Sequence, residues 1–187
     1  MTPLAYGIAS VFIAVLLSAC ASGARVISGF GDERDGEGKY RSRGPHVGVD
    51  VWGNPGDPVL ASANGRVHAV GDEGVPNSCG KYVIIVHDAT LTAQEIRSHA
   101  ATRYCHLSEQ TVIEGSPIRR GEIIGRIGTT GWSRQQTTTT GYEHVHWELL
   151  ASGAKIDPLP LTVGCFDPQK TYPTERLILT YPVQCKN

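Results

Sequence analysis

From residue 25 onward, apolar and β-branched runs alternate with short clusters of glycine, proline, asparagine and aspartate. The clearest runs are "GRVHAVG" (65–71), "KYVIIVHD" (81–88), "TRYCHL" (102–107), "EIIGRIG" (122–128) and "EHVHWELL" (143–150). Short segments of this composition, bounded by turn-forming residues, read as strands. Their spacing predicts an all-β fold of antiparallel strands. Only "LTAQEIRSHA" (91–100) has room for a helical turn or two, as an excursion within a hairpin. No internal repeat stands out, and the one low-complexity patch, Thr137–Thr140 between Gly131 and Gly141, reads as a mobile loop. Residues 159–187 are rich in proline and carry Cys165 and Cys185, which predicts a short stapled extension packed on the domain rather than a second domain.

A chain of 187 residues has room for one such domain with a sizeable core. Its net charge of -1 and isoelectric point near 6.6 give no electrostatic reason to expect nucleic acid, and pairs such as Arg119 and Arg120 read as solvated surface. The N-terminus adds a compartment. "IASVFIAVLLSA" (8–19) is shorter than the roughly 18 apolar residues of a membrane span but suits the core of a secretion signal. It ends in Leu17-Ser18-Ala19-Cys20, which resembles the lipobox of bacterial lipoproteins. That resemblance implies a signal peptide over 1–19, lipidation of Cys20 and a membrane anchor, with Ala21 after the cysteine pointing to the outer membrane. "MTPLAYG" departs from the pattern in lacking Lys or Arg, and the alternative is a plain cleaved signal with an incidental Cys20. The remaining cysteines, Cys79, Cys105, Cys165 and Cys185, are even in number, as expected where disulfides persist. Three pairings are open; the expected one joins Cys165 to Cys185 across a short loop and Cys79 to Cys105. The competing role for Cys105, a soft metal ligand beside His106, is disfavoured because strand neighbours point to opposite faces, which predicts that Cys105 faces away from whatever His106 faces.

The candidate chemistry lies in the histidines. On a strand, residues i and i+2 share one face about 6.5–7 Å apart, so His144, His146 and Glu148 project together. In "PHVGVDVWG", His46 and Asp50 would stand about 13 Å apart if extended, so sharing an ion requires the chain to bend, and Gly48 at the midpoint supplies the freedom to do so. His46, Asp50 and one histidine of the His-x-His pair make a His₂-carboxylate set that suits a catalytic Zn²⁺ with one position left open. His106 adds a further histidine on a strand. His87, His68 and His99 read as structural or surface residues, and Glu148 as a neighbour of the site or an ordinary ion-pair partner.

From about Val26 to Leu150 the chain resembles the lysostaphin and LytM-type zinc metallopeptidases, which cut bacterial cell-wall peptides. Five ordered stretches carry the resemblance: "VISGFGDER", "HVGVDVWGNPGDPVLASANGRV", "TRYCHL", "RGEIIGRIGTTG" and "HVHWEL". It implies the antiparallel lysostaphin-like fold over 20–158, His46, Asp50 and His146 as zinc ligands, and His106 and His144 as the catalytic pair. All five are present, unlike in the family's degenerate members, which lack ligands and activate other wall hydrolases. "SRQQTTTTGYE" before His144 is longer than the family's usual link, which bears on substrate preference, and Val145 replaces the customary leucine.

The implied chemistry is hydrolysis at a zinc centre that lowers the pKa of water to about 7 and polarises the scissile carbonyl. His144 would take or orient the proton of the attacking water, and His106 would bond the developing oxyanion. The implied substrate is a peptidoglycan cross-link, with a D-alanyl to diaminopimelate bond favoured for a periplasmic lipoprotein. Two other classes stay open: a wall-binding or activator module whose groove is blocked by residues 25–43 or 134–142, and a histidine phosphocarrier of related β architecture, which export disfavours.

Overall fold

In the computed structural model, described here for residues 23–35, 38–42, 44–74, 79–90, 99–131 and 143–185, the predicted runs all lie in one antiparallel sheet. The strands are β1 (Val26–Ser28), β2 (Val49–Trp52), β3 (Pro58–Leu60), β4 (Gly65–Asp72), β5 (Lys81–Thr90), β6 (His99–Gln110), β7 (Pro117–Ile118), β8 (Ile123–Ile127), β9 (His144–Ala151) and β10 (Ala154–Ile156), followed by one 3₁₀ turn at Leu159–Leu161. The main path runs β1-β2-β9-β6-β5-β4-β7, with β10 on β9 and with β8 joining β3 to β6. The N-terminal apolar run with Cys20, most of the 91–100 excursion and the Thr137–Thr140 patch lie outside the described residues. No helix among the described residues is long and apolar enough to cross a membrane.

Two adjacent rows of cross-strand neighbours organise the centre of this sheet. Directly opposed residues share a face. In the first row Val49 opposes Trp147, Trp147 opposes Tyr104, and Tyr104 opposes Val83. All four are fully buried, and with Val51, Val145, Leu149, Ile85 and Leu107 they form the apolar core. In the next row Ser28 opposes Asp50, Asp50 opposes His146, and His146 opposes Cys105, all on the other face. The alternation of apolar and polar residues in "VDVW" and "HVHWELL" is thus the period of a sheet with a dry side and a side built for chemistry.

The dry side contains one buried polar chain. His87 Nδ1 donates to the Asn64 carbonyl at 3.0 Å, so Nε2 is an acceptor for Thr102 Oγ1 at 2.8 Å. Thr102 Oγ1 lies 2.8 Å from Tyr104 Oη, which accepts the Ser62 backbone N–H. Every link is satisfied with neutral histidine, which makes His87 a structural residue.

The C-terminal segment covers the open edge at β3. Val59 and Val183 form an isolated bridge, Leu60 N donates to the Pro182 carbonyl, and Leu177, Leu179 and Val183 are buried. Arg120 ties this segment on by donating to the Ser62 and Ile178 carbonyls. Among the described residues there are two disulfides, Cys165–Cys185 within the segment and Cys79–Cys105 beside the sheet's polar face, with Cα–Cα distances of 6.0 and 4.9 Å.

Burial pushes the His87 pKa down from 6.5 to about 4, against the opposing bond to Asn64. Above pH 6.5 the imidazole is neutral folded or unfolded. Between pH 6.5 and 4 the unfolded chain takes up a proton that the folded chain refuses, so stability falls as the pH falls, by about 3 kcal/mol in all. Urea unfolding of wild type and His87→Gln at pH 7 and pH 4.5 is expected to show the wild type losing about 2–3 kcal/mol more than the variant. Equal losses would contradict the buried neutral histidine.

Candidate metal centre and groove

Asp50 and His146 face each other across the β2–β9 ladder, so sheet register alone brings this pair together. His46 arrives from the loop before β2. Its backbone is clamped to the turn after β1, with His46 N donating to the Asp32 carbonyl and Gly31 N to the His46 carbonyl. The bend expected at Gly48 has a different cause from the one the sequence suggests, since its φ is not left-handed. A Cβ there would lie 2.7 Å from both His146 Cε1 and the Trp147 carbonyl oxygen. Glycine is needed for close approach, because the loop crosses directly over the His146 ring.

The three candidate ligand atoms converge. His46 Nε2 and His146 Nδ1 are 3.0 Å apart, His146 Nδ1 and Asp50 Oδ1 are 2.8 Å apart, and His46 Nε2 and Asp50 Oδ1 are 3.1 Å apart. Ligands about 2.0 Å from a tetrahedral ion stand roughly 3.3 Å from one another, so the set is only slightly tighter than a zinc site requires. The second nitrogen of each ring is engaged. His46 Nδ1 donates to the Gly29 carbonyl at 2.8 Å, and His146 Nε2 donates to Glu148 Oε1 at 3.1 Å. Those bonds select the tautomers in which His46 Nε2 and His146 Nδ1 carry lone pairs. Three lone pairs aimed at one point repel unless a cation sits among them, and that is the fit of these residues to a metal.

Charge around the triad agrees. Burial disfavours a charge on either residue, yet the surrounding histidines hold the Asp50 carboxyl well below its usual range, and the Asp50 and Glu148 carboxylates hold His146 up at about 9. A place that binds a proton this firmly binds a cation for the same reason, and the two compete. Glu148, buried and bonded to Lys155 Nζ at 2.7 Å, is held down at about 2, since its partners His146 and Lys155 outweigh the cost of its burial.

His106 and His144 flank the triad. Their rings meet edge to face with centroids 5.1 Å apart, and the His106 ring lies 5.8 Å from that of His146. His144 Nε2 is 3.6 Å from Asp50 Oδ1. His106 Nδ1 donates to the Thr130 carbonyl at 2.9 Å, leaving Nε2 as an acceptor. Burial pushes its pKa down to about 3, with His144 and His146 adding to the effect, so the ring is neutral at physiological pH. Its φ of 65° is left-handed, a conformation that costs a non-glycine residue about 1 kcal/mol or more. This overturns the expectation that Cys105 faces away from His106. The β6–β5 ladder passes from Tyr104↔Val83 to Leu107↔Lys81, three steps against two, so β6 carries an extra residue and alternation breaks there. Cys105, opposite His146, shares the polar face, and both Cys105 and His106 line the groove.

That groove has a volume of about 310 Å³ and contains all five residues. It is also lined by Lys39, Arg41, Arg103 and Lys155. Arg41 is a residue that sequence reading missed: its Nη2 lies 2.8 Å from Ser28 Oγ and 3.8 Å from Asp50 Oδ2, next to the carboxylate oxygen that does not join the triad. No spacing or composition singles it out, because it reaches the site only through the turn connecting β1 to β2. His87 lies on the dry side, away from the groove and hydrogen-bonded at both ring nitrogens, in keeping with its reading as a structural residue.

An antiparallel sheet carrying an open metal triad beside two further histidines defines a class, that of the all-β metal-dependent hydrolases. The chain belongs to peptidase family M23, whose family model matches residues 44–158. It is 35% identical over 136 residues to an uncharacterized metalloprotease of Haemophilus influenzae, covering 73% of this chain and 25% of that protein. It is 34% identical over 119 residues to the peptidoglycan DD-endopeptidase ShyA of Vibrio cholerae, covering 64% and 23%. The chain therefore spans about a quarter of the length of these relatives. Among solved structures, the catalytic domain of the antimicrobial peptidase lysostaphin from Staphylococcus simulans aligns with a TM-score of 0.56 at 25% identity, covering 73% of this chain and 90% of that one. The fold is thus the all-β lysostaphin-like one.

The close approach at Gly48 is testable. Gly48→Ala would push the His146 ring off the triad and is expected to weaken divalent-metal binding about 10-fold or more, as measured by chelator competition. Unchanged affinity would show that the loop and ring have room to spare.

Proposed function

We propose that this chain is a zinc-dependent endopeptidase that hydrolyses peptide cross-links of bacterial peptidoglycan. The observation that carries the reading is the convergence of His46 Nε2, Asp50 Oδ1 and His146 Nδ1 to within 3.1 Å at a groove that also contains His106 and His144. A His₂-carboxylate set with a free side is the donor set of catalytic rather than structural zinc.

In this reading His46, Asp50 and His146 hold the ion, which supplies Lewis acidity toward the scissile carbonyl and acidity to the attacking water. His144 orients that water from beside Asp50. His106 enters the cycle neutral, with Nδ1–H committed to Thr130 and Nε2 bare. It is thus an acceptor first, and donates to the oxyanion or the leaving amine only after taking a proton. Glu148 keeps the His146 tautomer fixed, and Arg41 steadies the outer oxygen of Asp50. The intact ligand set favours an enzyme over an activator module.

As the bond cut we assign a D-alanyl to diaminopimelate cross-link, a choice supported by the DD-endopeptidase name of the Vibrio cholerae relative and by the proposed envelope setting. We further assign residues 1–19 as a signal peptide, Cys20 as a lipidated anchor in the periplasmic face of the outer membrane, 20–158 as the peptidase domain and 159–187 as an extension stapled by Cys165–Cys185. Two disulfides suit an oxidising compartment.

Purified peptidoglycan incubated with the zinc-loaded mature protein is expected to release un-cross-linked stem peptides identifiable by mass. His106→Ala and His144→Ala should each lower the rate about 10²–10⁴-fold while retaining zinc. Stoichiometric zinc without any cleavage would turn the reading towards an activator. Labelled palmitate should be incorporated by the full-length chain in bacteria and not by Cys20→Ala; a labelled variant would remove the anchor assignment.

A further inference from the structure

We propose that the Cys79–Cys105 disulfide is a positioning element of the groove, holding His106 in the left-handed conformation that turns its ring towards His144 and His146. The inference rests on the reading of His106 as one of the catalytic pair.

His106 is the surplus residue of the β6 bulge, and it adopts φ 65° where glycine would be the unstrained choice. Something must hold it there. Two ties at this point lead to one residue: Cys79 is covalently joined to Cys105, the immediate neighbour of His106, and the Cys79 carbonyl accepts the His106 N–H at 2.8 Å. The bulge is thereby stitched to the chain just before β5, at the point where the β5–β6 ladder is interrupted.

The anchor at Cys79 is itself braced. Gly80 and Gly131 both have left-handed φ, of 62° and 67°, and pack backbone to backbone: a Cβ on Gly80 would lie 2.4 Å from Gly131 N, and one on Gly131 would lie 2.3 Å from Gly80 N. Thr130, next to Gly131, accepts the Lys81 N–H on Oγ1 at 2.9 Å, donates from Oγ1 to the Leu107 carbonyl at 2.8 Å, and offers its own carbonyl to His106 Nδ1. The path therefore closes on itself: Cys79, Cys105, His106, Thr130, Gly131, Gly80. One covalent bond and a set of short hydrogen bonds locate both the backbone and the ring of His106.

The placement of the bridge supports a role at the site rather than in stability alone. Cys105 opposes His146 and lines the groove, and both cysteines of the bridge are almost fully buried. The second bridge, Cys165–Cys185, belongs to the segment packed on β3. It is a natural control. Without the first bridge, the backbone at His106 is free to relax towards extended angles, which swings the ring out of line with His144.

The test compares the zinc-loaded mature wild type with Cys79→Ser/Cys105→Ser and Cys165→Ser/Cys185→Ser, using ¹⁵N-histidine labelling and His106→Ala to assign the resonance. The His106 Nδ1–H proton, buried and bonded to Thr130, should give a slowly exchanging signal in wild type. The expected result is that the first pair loses or shifts this signal and lowers kcat on cross-linked stem peptides roughly 100-fold, with KM and zinc content unchanged, while the second pair keeps both at reduced Tm. A wild-type signal and kcat in the first pair would overturn the proposal, as would equal loss in both pairs. A wild type that cleaves nothing would sink the peptidase reading, and the His106 signal would still decide this one. If the serine pair does not fold, reduction of folded Cys165→Ser/Cys185→Ser, in which Cys79–Cys105 is the remaining bridge, by a water-soluble phosphine, which with one water leaves two thiols on the protein and a phosphine oxide on the reagent, gives the same readouts.

Discussion

The register of β9 between β2 and β6 is the constraint on which the rest of the structure depends. It sets Trp147 between Val49 and Tyr104 on the dry face and, one residue earlier, His146 between Asp50 and Cys105 on the other. Because side chains alternate with period two, a slip of one residue would turn His144 and His146 into the apolar core and Trp147 onto the groove face. Packing and chemistry are therefore specified by the same ladder. The core fixes the pairing, since exposing Trp147, Leu149 and Val145 together would cost several kcal/mol. The pairing then delivers Asp50 to His146 with no further device.

Of the remaining parts of the site, His144 and His106 stand on β9 and β6 themselves, while His46 and Arg41 come from the connection between β1 and β2, and hydrogen bonds then select protonation states. Gly29 fixes which nitrogen of His46 is bare, Glu148 does so for His146, and Thr130 does so for His106. In each case the partner is a carbonyl or carboxylate, which demands a proton on one nitrogen and so frees the other. Three such choices convert ordinary side chains into two inward-facing metal ligands and a neutral acceptor. The buried chain on the dry face follows the opposite logic: it runs from the Asn64 carbonyl through His87, Thr102 and Tyr104 to the Ser62 backbone N–H, and both ring nitrogens of His87 are engaged within it.

Much of this was legible in the sequence, for identifiable reasons. The five predicted runs fall on β4, β5, β6, β8 and β9, because long alternating or β-branched runs between turn formers leave little ambiguity. The shorter strands β1, β3, β7 and β10 carry too few residues to show a period. The set of His46, Asp50, His106, His144 and His146 was readable from strand alternation combined with resemblance, and the groove contains all five. The features that escaped are those in which backbone conformation departs from pattern. Nothing in "RYCHL" announces a bulge, since the left-handed residue is a histidine, so Cys105 was expected on the wrong face. Gly48 was recognised as necessary but for bending rather than for the passage of the loop across His146. Arg41 gave no signal because its contact with Asp50 depends on how a turn folds back over β2.

The central claim is that register and tautomer selection together build a metal centre from His46, Asp50 and His146. Its most direct test is a crystal structure of the zinc-loaded protein with anomalous data collected on both sides of the zinc edge. A single zinc peak about 2.0–2.2 Å from His46 Nε2, Asp50 Oδ1 and His146 Nδ1, with one side open to the groove, is the expected result. Zinc bound through His106 or His144 in place of one of these atoms, or through His146 Nε2 with the bond to Glu148 broken, would contradict it.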